Sequence, residues 1–323
     1  IILPSGITYI GKEAFNGCIN LSHISLPASI SSLGTKAFYA CRSLSSLGLP
    51  DNINEIGESA FAECSNLSII NIPKSLTSIE VNLFSGCKSL SNIELHENIT
   101  SIGSGAFMGT GFTHFEWPEN ITTVSGSVFF SCDNLTEVVM PEGVTVIAGN
   151  AFSDCENIKS LILPESLTAI GYCAFDHSGL TNIVLPGNIK SISRFTFWGC
   201  EDLISVVLPE GVQNIGGQSF QDCTSLIDIV LPDNVESIGY GTFDGCASLR
   251  EIVIPAKVNE IGEYAFRECV SLTEITFKGE SPPKIEDNSF DFCSALQTIF
   301  VPVEGVENYR MILPDYKNLI KGY

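Results

Sequence analysis

IGKEAFNGCINLSHISLP, residues 10–27, is the unit from which the chain is built. Ile10-Gly11 opens it, Ala14-Phe15 and Cys18 follow, Leu21, Ile24 and Leu26 come next, and Pro27 closes it. The unit returns at 33–50 and 56–73. Prolines set the register: Pro4, Pro27, Pro50 and Pro73 lie 23 residues apart, His96 fills the next slot, and Pro118, Pro141, Pro164, Pro186, Pro209, Pro232 and Pro255 follow. Two intervals, 96–118 and 164–186, shorten to 22. Phenylalanine recurs thirteen times at one phase, from Phe15 to Phe290. A fixed period near 23 residues specifies a solenoid whose coils bury their apolar faces against one another. One coil alone cannot offset the entropy of ordering its own backbone.

Within a coil, Ile24 and Leu26 alternate with polar residues, as a half-buried strand requires. Thirteen such strands, at ~4.8 Å spacing, give a parallel sheet of about 58 Å. Turn formers such as Asp51-Asn52 and Glu142-Gly143 follow the prolines. Ile53 and Ile56 then point inward on the opposite wall, in a second short strand. Gly57 and its equivalents mark a bend or a close backbone approach. The i, i+3 spacing of Ala60-Phe61-Ala62-Glu63-Cys64 predicts a turn of helix or 3-10 helix. Two coils lack the cysteine and are cut short at Gly109-Thr-Gly-Phe112 and His177-Ser-Gly-Leu180. Phe115 and Trp117, in inward phases, are expected in the core. Pro282-Pro283 interrupts the rhythm, and one more coil follows.

The pattern I-x-x-I-G-x-x-A-F-x-x-C-x-x-L-x-x-I-x-L-P resembles the BspA-type (Treponema pallidum-type) leucine-rich repeat. The resemblance covers residues 1–302 and implies a β-rich, right-handed leucine-rich-repeat solenoid of about 13 coils. Its parallel β-sheet would form the concave face, with short helical turns and short strands opposite. Residues 303–323 leave the pattern; Tyr309, Met311-Ile312-Leu313, Tyr316, Leu319-Ile320 and Tyr323 are apolar enough to cap the last coil. The first coil opens mid-repeat without a cap, as an excised segment would. Proteins of this kind are commonly bacterial or protist surface proteins, and some bind host matrix proteins such as fibronectin and fibrinogen. The resemblance therefore implies an adhesion module, secreted or on a cell surface, and the chain is expected to be monomeric and non-enzymatic.

Composition narrows the partners. Of 323 residues 37 are Asp or Glu and 16 are Lys or Arg, a net charge of −21. That disfavours nucleic acid and anionic membrane, which require basic patches, and favours a basic protein segment or cations. No apolar run reaches the 18 residues of a membrane span.

No constellation for catalysis, cofactor or metal emerges. Eleven of twelve cysteines share one phase: Cys18, Cys41, Cys64, Cys87, Cys132, Cys155, Cys200, Cys223, Cys246, Cys269 and Cys293. There is no C-x-x-C, so they read as reduced, buried core groups. Cys173 falls in a polar phase and is expected exposed. His23, His96, His114 and His177 are scattered, and none meets a Ser or Cys within a relay's reach. The acidic row Asp51, Glu97, Glu119, Glu142, Glu165, Glu210 and Asp233 lacks the D-x-D spacing of a calcium loop. Asn20, Asn66, Asn98, Asn120 and Asn134 match the glycosylation pattern because the repeat does. Glycan binding would need aromatic platforms, for which Phe130 and Trp198 are the candidates.

One departure from the repeat carries a functional expectation. The outward phase between the two inward strand residues is polar early, at Ser25, Asn71, Glu94 and Glu116. It then turns apolar at Val139, Ile162, Val184, Val207, Val230 and Val253. The adjoining outward phase stays polar or acidic, with Glu137, Asp228, Glu251 and Glu274. An apolar strip bordered by acids is the expected protein-docking surface. β-branched residues also suit strands whether or not anything binds, which leaves a passive spacer as the alternative.

Overall fold

Each coil turns its corner at the Gly-x-x-Ala-Phe-x-x-Cys stretch, and the backbone there differs from the expected helix. In the computed structural model, which describes residues 1–323, the stretch is a run of linked turns with left-handed residues at two fixed places. Glu13 and Gly17 have φ of 60° and 69° in the first coil, and the pair recurs in every coil. Alternate amides consequently face opposite ways. Ala14, Asn16 and Cys18 donate to Gly11, Glu13 and Phe15 carbonyls three residues back. Glu13, Phe15 and Gly17 donate to Thr35, Ala37 and Tyr39 of the following coil at 2.8–3.0 Å. An α-helix would direct each of these amides at its own i−4 carbonyl and leave none for the neighbouring coil. The stacking bonds therefore select the turns over the helix.

The residues group into two compact units, Ile1–Ile158 and Lys159–Tyr323. Each is a parallel β-solenoid with this turn wall, a strand face and a second wall of two-residue strands. In the first unit the turn wall is complete through Ser131 bonding Ser153. In the second it runs from Cys173 bonding Arg194 through Glu268 bonding Asp291. Behind the wall the phenylalanines stack face to face. Centroids are 5.1–5.9 Å apart from Phe15 to Phe152, and 5.3–5.6 Å apart from Phe175 to Phe290. Phe115 and Trp117 are buried, as their phases require. With Phe112 they pack edge-on or tilted against Phe107 and Phe129.

The strand face is less continuous than the expected thirteen-strand sheet. In the first unit Ser46–Leu47 pairs with Ile69–Ile70, and His114–Glu116 with Glu137–Val139. In the second unit Asn182–Val184 pairs with Ser205–Val207. Glu251–Ile254, Glu274–Phe277, Thr298–Val301 and Ile320–Gly322 form a four-stranded ladder. The segments 91–96, 159–164 and 226–232 are extended but form no strand. The first two directly precede the 22-residue coils. Nothing in the sequence accounts for the third.

The second wall carries a two-residue strand in nearly every coil. The longest run joins Ser191–Ile192, Asn214–Ile215, Ser237–Ile238, Glu260–Ile261 and Lys284–Ile285. Pairing thus resumes immediately after Pro283. The turns beyond the prolines are tied by asparagine: Nδ2 of Asn98, Asn120 and Asn234 donates to the carbonyls of Lys74, Glu97 and Glu210 at 2.9–3.0 Å. Asn98 and Asn120, which match the glycosylation pattern, thus have their amides engaged in coil stacking.

The chain ends in the one α-helix, Val306–Ile312, and the strand Ile320–Gly322, which pairs with Thr298–Val301. Tyr309 is fully buried and its hydroxyl donates to Gly279 O at 2.9 Å. Leu313 and Ile320 are buried with it, whereas Met311, Ile312 and Tyr323 remain exposed.

The close approach expected at Gly57 is real: a Cβ there would stand 2.3 Å from Thr35 N and 2.7 Å from Gly34 C. Gly57→Ala is therefore expected to destabilise the fold by about 1–3 kcal/mol through overpacking, read as a lower denaturant midpoint. Gly6→Ala, whose Cβ meets nothing within 4 Å, should leave the midpoint unchanged.

Candidate functional site

The outward strand phase is where the sequence places a binding surface. In the second unit Ile162, Val184, Val207, Val230 and Val253 all project to solvent, 42–89 % exposed, while their strand neighbours Ile183, Val206, Ile229 and Ile252 are buried. Val184 and Val207 are direct ladder partners. The two most exposed, Ile162 at 89 % and Val230 at 79 %, lie in the segments 159–164 and 226–232, which form no strand. Asp228 and Glu251 are exposed and Glu274 is half-buried; Glu251 stands directly beside Glu274 in the ladder. Ile204 and Ile227 add exposed apolar area three residues before Val207 and Val230. The sequence reading passed over them because their phase is mostly Ser or Thr, as at Ser68 and Thr181. Val139 and Glu137 belong to the first unit, on the strand Glu137–Val139, where both are exposed and Glu137 is 3.2 Å from His114 Nδ1.

The cysteine phase forms a second column, directed inward. Ten of its eleven members are buried; Cys18, in the first coil, is exposed, since within the chain no coil lies over its outer side. Each buried thiol points at the phenylalanine carbonyl of the preceding coil: Cys41 Sγ donates to Phe15 O at 3.1 Å and Cys64 to Phe38 O at 3.0 Å. In the second unit Cys223 does the same to Phe197 and Cys246 to Phe220. Phe15 O already accepts the Cys18 amide, so the thiol occupies the carbonyl's remaining lone pair. This is more than the small-hydrophobe role expected of the ladder. Thr110 and Ser178 take the slot in the shortened coils, 3.5 and 3.4 Å from Cys132 and Cys200 Sγ.

Burial raises these thiols, and neighbouring ladder thiols add to it: Cys41 goes to about 11 and Cys64 to about 12. Burial alone dominates at Cys200, which goes to about 12. Cys173 is half-buried, less open than expected. Burial and then Asp176 push its thiol up, away from the thiolate a nucleophile requires. His177 Nδ1 lies 2.5 Å from Asp176 Oδ1, with Trp198 edge-on at 5.2 Å. Trp198 Nε1 donates to Asp222 Oδ2 at 3.2 Å. Trp198 and Phe130 are half-buried, so neither presents an open platform. No three His, Cys, Asp or Glu side chains converge on a point where a cation would sit. In the acidic row Asp233 pairs instead with Lys278 at 2.8 Å, whose hydrogen bond and charge hold its carboxyl below the usual range. No helix is long and apolar enough to cross a membrane.

Comparison with known proteins agrees with this geometry. Residues 1–110, 57–179, 122–229 and 213–310 match the family described as the BspA type leucine rich repeat region, six copies. A leucine-rich repeat protein from Bacteroides ovatus is similar at 29 % identity, covering 91 % of this chain and 88 % of that one, with TM-score 0.64. A leucine rich cell surface protein from Faecalibacterium prausnitzii shares the fold at 24 % identity, over 96 % of this chain and 89 % of that one, TM-score 0.56. A leucine-rich repeat protein from Eubacterium ventriosum does so at 21 %, over 83 % and 82 %, TM-score 0.60. A search of curated proteins returns no match.

Two outcomes follow from the thiol column. A thiol reagent under native conditions should label Cys18 rapidly and Cys173 more slowly, leaving ten cysteines protected until unfolding; mass mapping of the labelled peptides checks this. Because the buried thiols hold their protons more tightly folded than unfolded, their contribution to stability is fully present below about pH 9. It should be lost as pH rises toward 11–12, the range of Cys41 and Cys64. Denaturation midpoints measured from pH 8 to 11 should fall, and Cys64→Ala and Cys87→Ala, made together, should flatten the decline.

Proposed function

This chain belongs to the BspA-type leucine-rich repeat family, and we propose that it is a non-enzymatic protein-binding module, secreted or held at a cell surface, that takes its partner on the strand face of the second unit. The observation that carries the reading is the exposed column Ile162, Val184, Val207, Val230 and Val253, bordered by Asp228, Glu251 and Glu274. Apolar side chains exposed in register over successive coils form a contiguous patch, and such patches mark interaction surfaces. The acidic border selects a partner with a basic, partly apolar segment. It also suppresses association with acidic proteins, including further copies of this chain, whose own charge is −21.

Extracellular matrix proteins such as fibronectin and fibrinogen are the first partners to test, in keeping with the adhesion role of similar surface proteins. The F. prausnitzii neighbour is itself named as a cell surface protein, consistent with the location proposed here.

Val184→Asp, Val207→Asp and Val230→Asp, introduced together, should weaken a matrix partner's binding at least about 100-fold, since apolar anchors at the centre of an interface carry about 2 kcal/mol or more each. All three side chains are exposed, so the circular dichroism spectrum should be unchanged. Surface plasmon resonance against the matrix panel reads the effect. A partner that binds both proteins equally would reduce the column to strand propensity.

A further inference from the structure

One coil of the first unit stands open on both sides. Its extended segment Asn92–Leu95 gives and receives no backbone hydrogen bond. The strands flanking it, Ile69–Ile70 and His114–Glu116, pair away from it with Ser46–Leu47 and Glu137–Val139. Ile93 and Leu95 occupy inward phases but are only half-buried, whereas Ile70, Ile72, Phe115 and Trp117 in the same phases are buried. Clefts of about 510 Å³ lie on either flank. The cause lies in the coil that follows. It is one residue short, its Gly111 amide is drawn onto Leu90 O at 3.0 Å, and it packs Phe112, Phe115 and Trp117 where every other coil carries at most one aromatic residue in the same three phases.

The cleft between this segment and the next coil has a defined chemistry. Glu94, Glu97, Glu116 and Glu119 line it, and none of the four forms an ion pair. Its one basic side chain, His114, is occupied by Glu137 at 3.2 Å. Trp117 lines the same cleft and is 4 % exposed, and its buried indole N–H has no acceptor. Buried donors of this kind are rare in native folds and invite an explanation.

We propose that this cleft binds a short extended peptide segment carrying lysine or arginine. The peptide backbone pairs with the free amides and carbonyls of Asn92–Leu95, in the manner of an added strand. A peptide carbonyl accepts from Trp117 Nε1, apolar side chains cover Ile93 and Leu95, and the cation sits among the four carboxylates. This site belongs to the first unit and does not depend on the valine column of the second.

The probe is a blocked pentapeptide alternating valine and lysine, titrated into the Trp198→Phe variant, where Trp117 is the one remaining indole. A saturable change in Trp117 emission is expected. Affinity should fall at least tenfold for a valine–glutamate pentapeptide, and likewise for the lysine peptide on Glu94→Gln, Glu116→Gln and Glu119→Gln combined. It should be unchanged by Val184→Asp, Val207→Asp and Val230→Asp combined. Hydrogen exchange on the wild-type chain supplies an independent readout: the peptide should slow the amides of 92–95. Equal response to both peptides, indifference to the carboxylate changes, or binding without slower exchange at 92–95 would each overturn the proposal.

Discussion

The fold depends on how alternate amides of the turn wall are aimed. Two left-handed residues per coil turn three N–H groups out of the coil and onto the next one. Nineteen of the positions are not glycine, and each costs about 1–2 kcal/mol relative to ordinary backbone. The stacking bond and the burial it permits offset that cost. Along the stack the interaction is local, since each coil bonds only its neighbours, which is the reason repeat arrays gain stability by addition. The Phe column lies against this wall, and its carbonyls accept both the turn amide and the thiol of the following coil. Backbone geometry, aromatic stacking and the cysteine column are thus one device, repeated.

A fold held on the turn wall can relax on its strand face. Strand pairing is interrupted at 91–96, 159–164 and 226–232, and past the first and third of these the turn bonds continue. Two of these breaks coincide with a deleted residue in the next coil, so a length change tolerated by the turn wall is expressed on the strand face. That face is where side chains vary from coil to coil, and it carries both the exposed apolar column and the acidic cleft. The wall that supplies stability and the face that supplies contacts are separate, which leaves the contacts free to change without loss of the fold.

The sequence determined the period, the coil boundaries, the inward phases and the family. All of these follow from burial, which demands the same residue type at the same phase in each coil. It also located the apolar column, because a valine in a polar phase is visible without coordinates, and it placed Phe115 and Trp117 in the core. It misjudged the turn wall. Apolar residues three apart fit a helical turn as well as linked β-turns, and spacing alone cannot separate them. The available signal was glycine before the cysteine, at Gly17, Gly86, Gly199 and Gly245, and before its replacement Thr110 at Gly109, which is where a left-handed residue is cheapest.

Tertiary structure alone decided which ladders are continuous, which thiols are covered and where the strand face opens. Hydrogen-bond register between coils is a relation between residues 22 or 23 apart, and a shift of a fraction of a residue breaks it while leaving the sequence pattern intact. Asn92–Leu95 reads like any other strand of the repeat. Its exposure and its unpaired backbone result from the volume of three aromatic side chains and one absent residue in the following coil, and no property of the segment itself records them.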